Sequence, residues 1–279
     1  MTSPTIAIIG AGNMGASLLG GLIKTGLSPA QLWITDPTTE KLHSLQQQFH
    51  VHVTEHNQDA VELADVIIFA VKPQIMETVT QSLSHLIQMR KPLIISIAAG
   101  IREKSLQNWL GKHIAIVRCM PNTPALICAG ASALHANSVV TAAQRDLAES
   151  ILRTVSTTVW LENEEQMDAV TALSGSGPAY FFLVIEALQK AGETLGLSSN
   201  IAQLLTLQTA FGAARMALES KESIVELRKR VTSPGGTTEA AISVLEAAHI
   251  RELFAKALDA AQKRSAELAK QFDHKDNRS

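Results

Sequence analysis

Short, uninterrupted apolar runs recur through the first 161 residues, and stretches with helical periodicity separate them. The runs lie at residues 5–10, 32–36, 65–71, 92–99 and 114–120, with shorter candidates at 131–135 and 157–161. A run without polar alternation is typical of a strand that is buried on both faces. Such strands, separated by helices, predict an α/β domain in which helices cover both faces of a parallel sheet.

The pattern changes near residue 164, beyond which we predict no strand. Long helical patterns follow at 179–196, 200–220 and 250–272. We therefore predict a sheet domain over residues 1–163, an all-α domain over residues 164–272 and a disordered polar tail over residues 273–279.

The helix predicted at 200–220 lacks a polar face. Between Ile201 and Leu218 its only charged residue is Arg215. A helix that is apolar or small all round needs burial on several sides, which a helical domain of this size hardly supplies alone. We predict that a second copy covers it through a two-fold interface, giving a homodimer. A central helix within one monomer is the alternative.

The composition excludes several classes of function. The 279 residues are 46% hydrophobic and 18% charged, with a formal net charge of −2, so the chain has no basic footprint for nucleic acid. We interpret Cys119 and Cys128 as reduced, buried thiols of a reducing compartment. The scattered histidines and these cysteines predict no metal site. We see no signal peptide and no long apolar run, and we expect a cytoplasmic protein without a membrane partner.

A glycine-rich turn follows the first strand. Gly10, Gly12 and Gly15 have G-x-G-x-x-G spacing, directly after a strand and at the start of a helix. In that context the first glycine makes a tight turn, the second admits a pyrophosphate, and the third allows close packing of helix and strand. We therefore predict a Rossmann-type domain that binds a dinucleotide at a helix N-terminus.

Asp36 ends the second strand, where an acid can accept a hydrogen bond from the ribose 2′-OH of NAD. The neighbouring Thr35, Thr38, Thr39 and Lys41 could instead surround the 2′-phosphate of NADP, and Asp36 could simply cap the turn at Pro37. Lys72 and Pro73 follow the third strand, and Pro73 holds Lys72 out of helical geometry. Ala98 lies at the end of the fourth strand and is small enough for a ribose to come close.

Several stretches together resemble the pyrroline-5-carboxylate reductases. They are GAGNMG (10–15), AVKPQ (70–74), RCMPNTPA (118–125), SGSGPAYFF (174–182) and SPGGTTEAAI (233–242). The resemblance implies reduction of the cyclic imine 1-pyrroline-5-carboxylate to L-proline, the last step of proline biosynthesis, by hydride transfer. It also implies a Rossmann-type domain, a helical dimerisation domain and NADP(H) as cofactor, with NAD(H) accepted as well. Some members assemble dimers into decamers.

By position, the resemblance assigns most of the cofactor contacts. With Asp36 and Pro73, the predicted cofactor-binding residues are Gly10, Gly12, Asn13, Met14 and Gly15 at the pyrophosphate, Thr35 at the ribose, Asn57 at the adenine, Val71, Lys72 and Ala98 beside the cofactor, and Asn122 near the nicotinamide.

The stretch SPGGTT is the predicted substrate site. Its backbone N–H groups, at Gly235, Gly236, Thr237 and Thr238, would hold the substrate carboxylate, helped by the dipole of the helix that follows. We predict Ser233 as the N-cap and Pro234 as the first residue of that helix. Following the family, the Thr238 hydroxyl faces the ring nitrogen and is the candidate catalytic group.

Three acids are further candidates at the predicted substrate site. Glu222 is a candidate partner for the nitrogen side of the substrate. Glu164 and Glu165 lie at the predicted boundary between the sheet domain and the helical domain. They are either solvated charges or residues at the mouth of the site.

Two alternatives to this function remain at the sequence level. A 3-hydroxyacid-type dehydrogenase would carry an acid/base lysine on the first helix after the sheet domain, and residues 176–188 contain none. A non-catalytic NAD(P)-sensing protein would need no anion site at SPGGTT.

Overall fold

The protein, described by a computed structural model over residues 3–273, is built around one eight-stranded sheet. Its strands lie in the order β3-β2-β1-β4-β5-β6-β7-β8. They are β1 Ile6–Ile9, β2 Leu32–Thr35, β3 His52–Thr54, β4 Val66–Phe69, β5 Leu93–Ser96, β6 Ile116–Met120, β7 Gly130–Ala136 and β8 Ser156–Trp160. The last strand ends before residue 164, and helices make up most of the remainder, as predicted.

Twelve α-helices are found in the described part of the chain. They are α1 Asn13–Lys24, α2 Thr39–Phe49, α3 Asn57–Val61, α4 Pro73–Arg90, α5 Glu103–Leu110, α6 Ala142–Arg153, α7 Gln166–Val170, α8 Gly177–Thr194, α9 Ser199–Glu219, α10 Ile224–Arg230, α11 Thr237–Ala247 and α12 Ile250–Asp273. A short π-helical segment, Thr171–Gly175, lies between α7 and α8. The predicted tail, apart from Asp273, lies outside the described residues.

The sheet is parallel from β3 to β6 and changes direction at its other end. β7 runs antiparallel to β6, and β8 runs parallel to β7. The prediction of a parallel sheet therefore holds for the six strands that form the Rossmann core and is wrong for the last two. Strand β3 was not predicted, because His52–Thr54 is short and lacks the apolar run that marks the other strands.

Apolar residues bury both faces of the sheet, as the uninterrupted runs indicate. Ile6 and Ile8 of β1 point into one core with α1 and α6, whereas Ala7 and Ile9 point into a second core on the opposite face. All four are nearly inaccessible to solvent. The alternation follows from the two-residue period of a strand, which sends successive side chains to opposite faces.

The chain divides into two compact units. One contains residues up to Ser176 together with those from Ala261 onward, and the other contains Gly177–Ala260. This division differs from the predicted boundary at residue 164. Residues 164–176 contact the sheet through the ion pair of Glu164 with Arg118 of β6. A 2.6 Å hydrogen bond from Ser265 Oγ to Asp168 Oδ1 joins the end of α12 to these residues.

The helical unit exposes many large apolar side chains. In α9 only Ala202 is buried, while Leu204 is 67% and Phe211 is 59% exposed. By length and composition, the helical stretch Gln166–Thr194 could cross a membrane, and only 11% of its most apolar window is buried. A single copy of the chain therefore leaves a large apolar surface uncovered.

The two cysteines have different surroundings. Cys119 is buried in the sheet, and burial raises the pKa of its thiol to about 12. Cys128 is exposed, at the end of a short 3-10 helix, with a φ of 59°. The prediction of two buried thiols is therefore wrong for Cys128.

An ion pair joins the sheet to the segment after β8. Arg118 of β6 is 8% exposed, and its guanidinium donates to Glu164 Oε1. The same oxygen accepts the N–H of Glu103 at 2.6 Å, at the start of α5. Arg118, Glu164 and Glu165 line a small cavity of about 20 Å³. Glu164 is thus a structural ion-pair partner and not a solvated charge.

We expect Arg118→Leu to destabilise the protein by about 3 kcal/mol, because it leaves Glu164 partly buried without its cation. The free energy of unfolding in urea measures this loss. Arg264→Leu is the matched control, since Arg264 pairs with Glu267 at 3.0 Å with both side chains about 60% exposed. That variant should change stability by less than about 0.5 kcal/mol. Equal losses in the two variants would contradict the structural role of the buried pair.

Candidate functional site

The strand order reverses between β1 and β4, which opens a crevice at the carboxyl ends of these strands. Ligands of open parallel sheets bind at such a reversal. Ile9 pairs with Phe69 in register, so the turns that follow, at Gly10 and Ala70, are neighbours. The predicted glycine-rich turn therefore lies at the position where the topology alone places a ligand.

Two glycines of this turn are required by the fold itself. Gly10 has a φ of +109°, and a Cβ added there would lie 2.8 Å from the carbonyl oxygen of Ala70. A Cβ on Gly15 would lie 2.2 Å from the carbonyl oxygen of Gly10. The Gly10 N–H donates to the Thr35 carbonyl at 2.9 Å. Gly10 and Gly15 thus allow β1, β4 and α1 to approach closely.

Gly12 has a different role, because no atom lies within 4 Å of a Cβ added there. It is the N-cap of α1, whose first turn carries no acidic residue. The N–H groups of Gly12, Asn13 and Met14 have no acceptor among the described residues. Free N–H groups and a bare backbone at a helix N-terminus fit the pyrophosphate of a dinucleotide.

Asp36 braces the glycine-rich turn. Its carboxylate accepts the Ala11 N–H at 3.0 Å and the Thr38 N–H at 3.0 Å, and Lys41 Nζ lies 3.4 Å from it. Burial by itself raises the pKa of Asp36, but hydrogen bonds from Thr38 and Ala11 and the charge of Lys41 outweigh it, so the pKa lies below its ordinary value of 3.8. Asp36 therefore stays ionised and caps the turn at Pro37, as one of the alternatives proposed.

Thr35 and Asn57 are joined at the next strand end. The buried Thr35 hydroxyl donates to Asn57 Oδ1 at 2.6 Å. This bond commits the amide oxygen of Asn57 to the protein, so its NH₂ group is the one available as a donor to a ligand.

A cavity of about 470 Å³ extends from the glycine-rich turn along these strand ends. Seven predicted cofactor residues line it: Gly10, Gly12, Thr35, Asp36, Asn57, Val71 and Lys72. Glu55, Ile75 and Val79 line it as well and were not predicted. A neighbouring cavity of about 380 Å³ is lined by Asn13 with Glu40 and Lys41.

Five other predicted cofactor residues line neither cavity. Met14 and Gly15 lie within α1, and Pro73 is the first residue of α4, after the extended Lys72. Ala98 is buried in the core beneath the sheet edge. The Asn122 side chain bonds within the protein, donating to the Ser174 carbonyl at 3.1 Å and accepting the Ala131 N–H at 2.9 Å.

The predicted substrate stretch forms a turn before α11. The helix begins at Thr237 with Gly236 as its N-cap, so the prediction of Ser233 as N-cap and Pro234 as first helical residue is wrong. The Gly236 N–H donates to the Ser233 carbonyl at 3.0 Å, which forms a turn before the helix. Gly235 has a φ of +71°, a conformation that glycine adopts without strain.

The four N–H groups of this stretch are not equivalent. The Gly235 N–H donates to Glu239 Oε2 at 2.7 Å, and the Gly236 N–H is used in the turn. Those of Thr237 and Thr238 have no acceptor in the described part of the chain, and both residues are exposed. The Glu222 carboxylate, in the same helical unit, pairs with Arg230 Nη1 at 2.9 Å.

Comparisons with known proteins agree with the architecture of the chain. Residues 164–268 match the family model described as pyrroline-5-carboxylate reductase dimerisation, and residues 5–100 match one described as NADP oxidoreductase, coenzyme F420-dependent. The pyrroline-5-carboxylate reductase of Pseudomonas aeruginosa is 53% identical over 272 residues, which cover 98% of this chain and 99% of that protein.

Solved structures of pyrroline-5-carboxylate reductases are also similar to this chain. A pyrroline-5-carboxylate reductase from Coxiella burnetii superposes with a TM-score of 0.93 at 48% identity, covering 96% of this chain and 99% of that one. The pyrroline carboxylate reductase of Plasmodium falciparum, solved with NADP bound, superposes with a TM-score of 0.85 at 28% identity, with the same coverage of both chains.

We expect Gly12→Ala and Gly15→Ala to separate ligand binding from folding. Gly12→Ala should change the free energy of unfolding by less than about 1 kcal/mol, because the site is open, but weaken dinucleotide binding by about 10-fold or more. Gly15→Ala should destabilise the protein by about 2 kcal/mol or more, because its Cβ meets backbone. Urea unfolding and fluorescence titration with NADPH measure the two effects, and full affinity in Gly12→Ala would contradict the assignment.

Proposed function

The chain belongs to the pyrroline-5-carboxylate reductase family, and we infer that it reduces 1-pyrroline-5-carboxylate to proline with NAD(P)H. The observation that carries this inference is full-length similarity to such reductases at 53% identity, together with the crevice at Gly10–Gly15. When bound, the reduced nicotinamide supplies the hydride that the imine carbon accepts. The protein contributes position and electrostatics.

We propose that the dinucleotide binds in the 470 Å³ cavity. The free N–H groups of Gly12, Asn13 and Met14 support placing the pyrophosphate at the start of α1. Thr35, Asp36 and Asn57 then surround the adenosine end, and Val71 and Lys72 lie along the cofactor. Gly15, Pro73 and Ala98 would act by shaping the backbone, and Asn122 by supporting the loop after β6.

We propose that the carboxylate of the imine binds the N–H groups of Thr237 and Thr238. Both groups are exposed at the start of α11, where the helix dipole favours an anion. Gly235 and Gly236 shape the turn, since their own N–H groups already have acceptors. Ser233 supplies the carbonyl that closes the turn.

The residues proposed around the imine need to supply little chemistry of their own. The Thr238 hydroxyl would contact the ring nitrogen, and Glu222 would add negative charge on that side. The imine can bind with its nitrogen protonated, which makes the carbon electrophilic, so the reaction needs no general acid from the protein.

The alternatives are not favoured. Full-length relatives at 53% and 39% identity, from Pseudomonas aeruginosa and Pasteurella multocida, are pyrroline-5-carboxylate reductases. A 3-hydroxyacid-type mechanism would need a lysine early in α8, whereas the lysine of that helix, Lys190, is largely exposed and pairs with Glu193. A protein that only senses NAD(P) would not need the free N–H groups at the start of α11.

We propose that the enzyme is a homodimer in the cytoplasm. The exposed apolar faces of α8 and α9 support burial against a second copy, and residues 164–268 match a dimerisation domain. Assembly of such dimers into decamers stays a prediction. The unpaired, exposed Cys128 supports a reducing compartment.

Initial rates of NADPH and NADH oxidation by the imine test the reaction, and Thr238→Ala tests the site. We expect this variant to lower kcat/KM by about 10- to 100-fold, through the loss of one charge-assisted contact. Thr157→Ala, an exposed threonine of β8, is the control and should leave kcat/KM within about 2-fold. An unchanged kcat/KM in Thr238→Ala would remove the hydroxyl from the mechanism.

We expect Leu204→Glu to dissociate the dimer, because it puts a charge into a surface that a second copy would bury. Analytical ultracentrifugation at micromolar concentration should give the dimer mass for the wild type and the monomer mass for the variant. Gln47→Glu, which adds the same charge to an exposed position on α2, should leave the mass unchanged. A dimer that survives in Leu204→Glu would place the interface elsewhere.

A further inference from the structure

Two carboxylates meet at the adenosine end of the dinucleotide cavity. Thr35 of β2 pairs in register with Thr54 of β3, so the residues that follow, Asp36 and Glu55, are neighbours at the same sheet edge. Both line the cavity. Glu55 is held by the Thr39 hydroxyl, which donates to Oε1 at 2.7 Å.

The cations in this region do not balance these acids. Two lysines line the cavity, but Lys72 follows β4, which lies beyond β1 from the strands that Asp36 and Glu55 follow. Lys41 already lies 3.4 Å from Asp36. Glu40, in the first turn of α2, adds a third carboxylate beside Lys41 in the neighbouring cavity. No arginine is among the described residues that line either of these two cavities.

We propose that Asp36 and Glu55 together make this enzyme select NADH over NADPH. The proposal rests on the proposed function, which places the adenosine ribose in this cavity. A 2′-phosphate brings roughly two negative charges next to the two carboxylates, whereas a 2′-hydroxyl can donate a hydrogen bond to one of them. The selection therefore comes from repulsion of the wrong cofactor as well as from attraction of the right one.

The two acids differ in what else they do. Asp36 holds the glycine-rich turn through the Ala11 N–H and is 8% exposed, so its replacement also disturbs the pyrophosphate site. Glu55 is exposed, and among the described residues its carboxylate accepts a hydrogen bond from the Thr39 side chain alone. Glu55→Gln removes one charge and keeps the size and the acceptor, which makes it the clean test of the electrostatic argument.

The experiment measures the Kd of NADH and of NADPH by nicotinamide fluorescence, which requires no imine. We expect the wild type to bind NADH about 10-fold more tightly. Glu55→Gln should tighten NADPH binding by about 3- to 10-fold and change NADH binding by less than about 2-fold. Raising the ionic strength from roughly 0.05 to 0.5 M should reduce the difference between the wild-type Kd values for NADH and NADPH, because salt screens exposed charges.

Glu62→Gln is the matched control, an exposed glutamate at the end of α3 that lines neither cavity. It should leave the ratio of the two Kd values unchanged. The proposal would be overturned if the wild type bound NADPH more tightly than NADH. It would also be overturned if the ratio of the two Kd values were the same in Glu55→Gln as in Glu62→Gln. Failure to reduce the imine, with the binding preference intact, would overturn the proposed reaction and support this selection.

Discussion

The close approach of the β1–α1 turn to β4 is the constraint on which the rest of the site depends. Side chains at Gly10 and Gly15 would meet backbone atoms, so α1 can begin against the sheet edge only because these residues have none. The approach directs the first N–H groups of α1 into the crevice where the strand order reverses. Asp36 then fixes the turn through the Ala11 N–H.

Hydrogen-bond occupancy decides which parts of this surface can hold an anion. At both proposed anion sites, some N–H groups are satisfied within the protein and adjacent ones are not. The N–H groups of Gly10 and Ala11 have acceptors within the protein, whereas those of Gly12 and Asn13 have none among the described residues. Gly12, Asn13, Thr237 and Thr238 are exposed, so a phosphate or carboxylate can reach their N–H groups and replace the water there.

The prediction of a Rossmann-type domain followed by a helical region is confirmed by the strand order and by the matched dimerisation model. Two of the errors in the predicted sheet, the missed β3 and the direction of β7, concern features with weak local signal in the sequence. His52–Thr54 has no apolar run because β3 is an outermost strand of the sheet. Because β3 was not predicted, Glu55, which follows its carboxyl end, was not predicted as a cavity residue either. The reversal of β7 depends on a connection whose direction no local pattern encodes.

The sequence by itself determined the glycine-rich turn, the strands of the core and the presence of a helical region after them, because spacing and periodicity act over a few neighbouring residues. Only the tertiary structure decided which groups remain available to a ligand. The Asn122 side chain is engaged by Ser174 and Ala131, and the Gly235 N–H is taken by Glu239. Availability depends on the partners that folding brings to each group, and these include residues as distant in the chain as Ser174 is from Asn122.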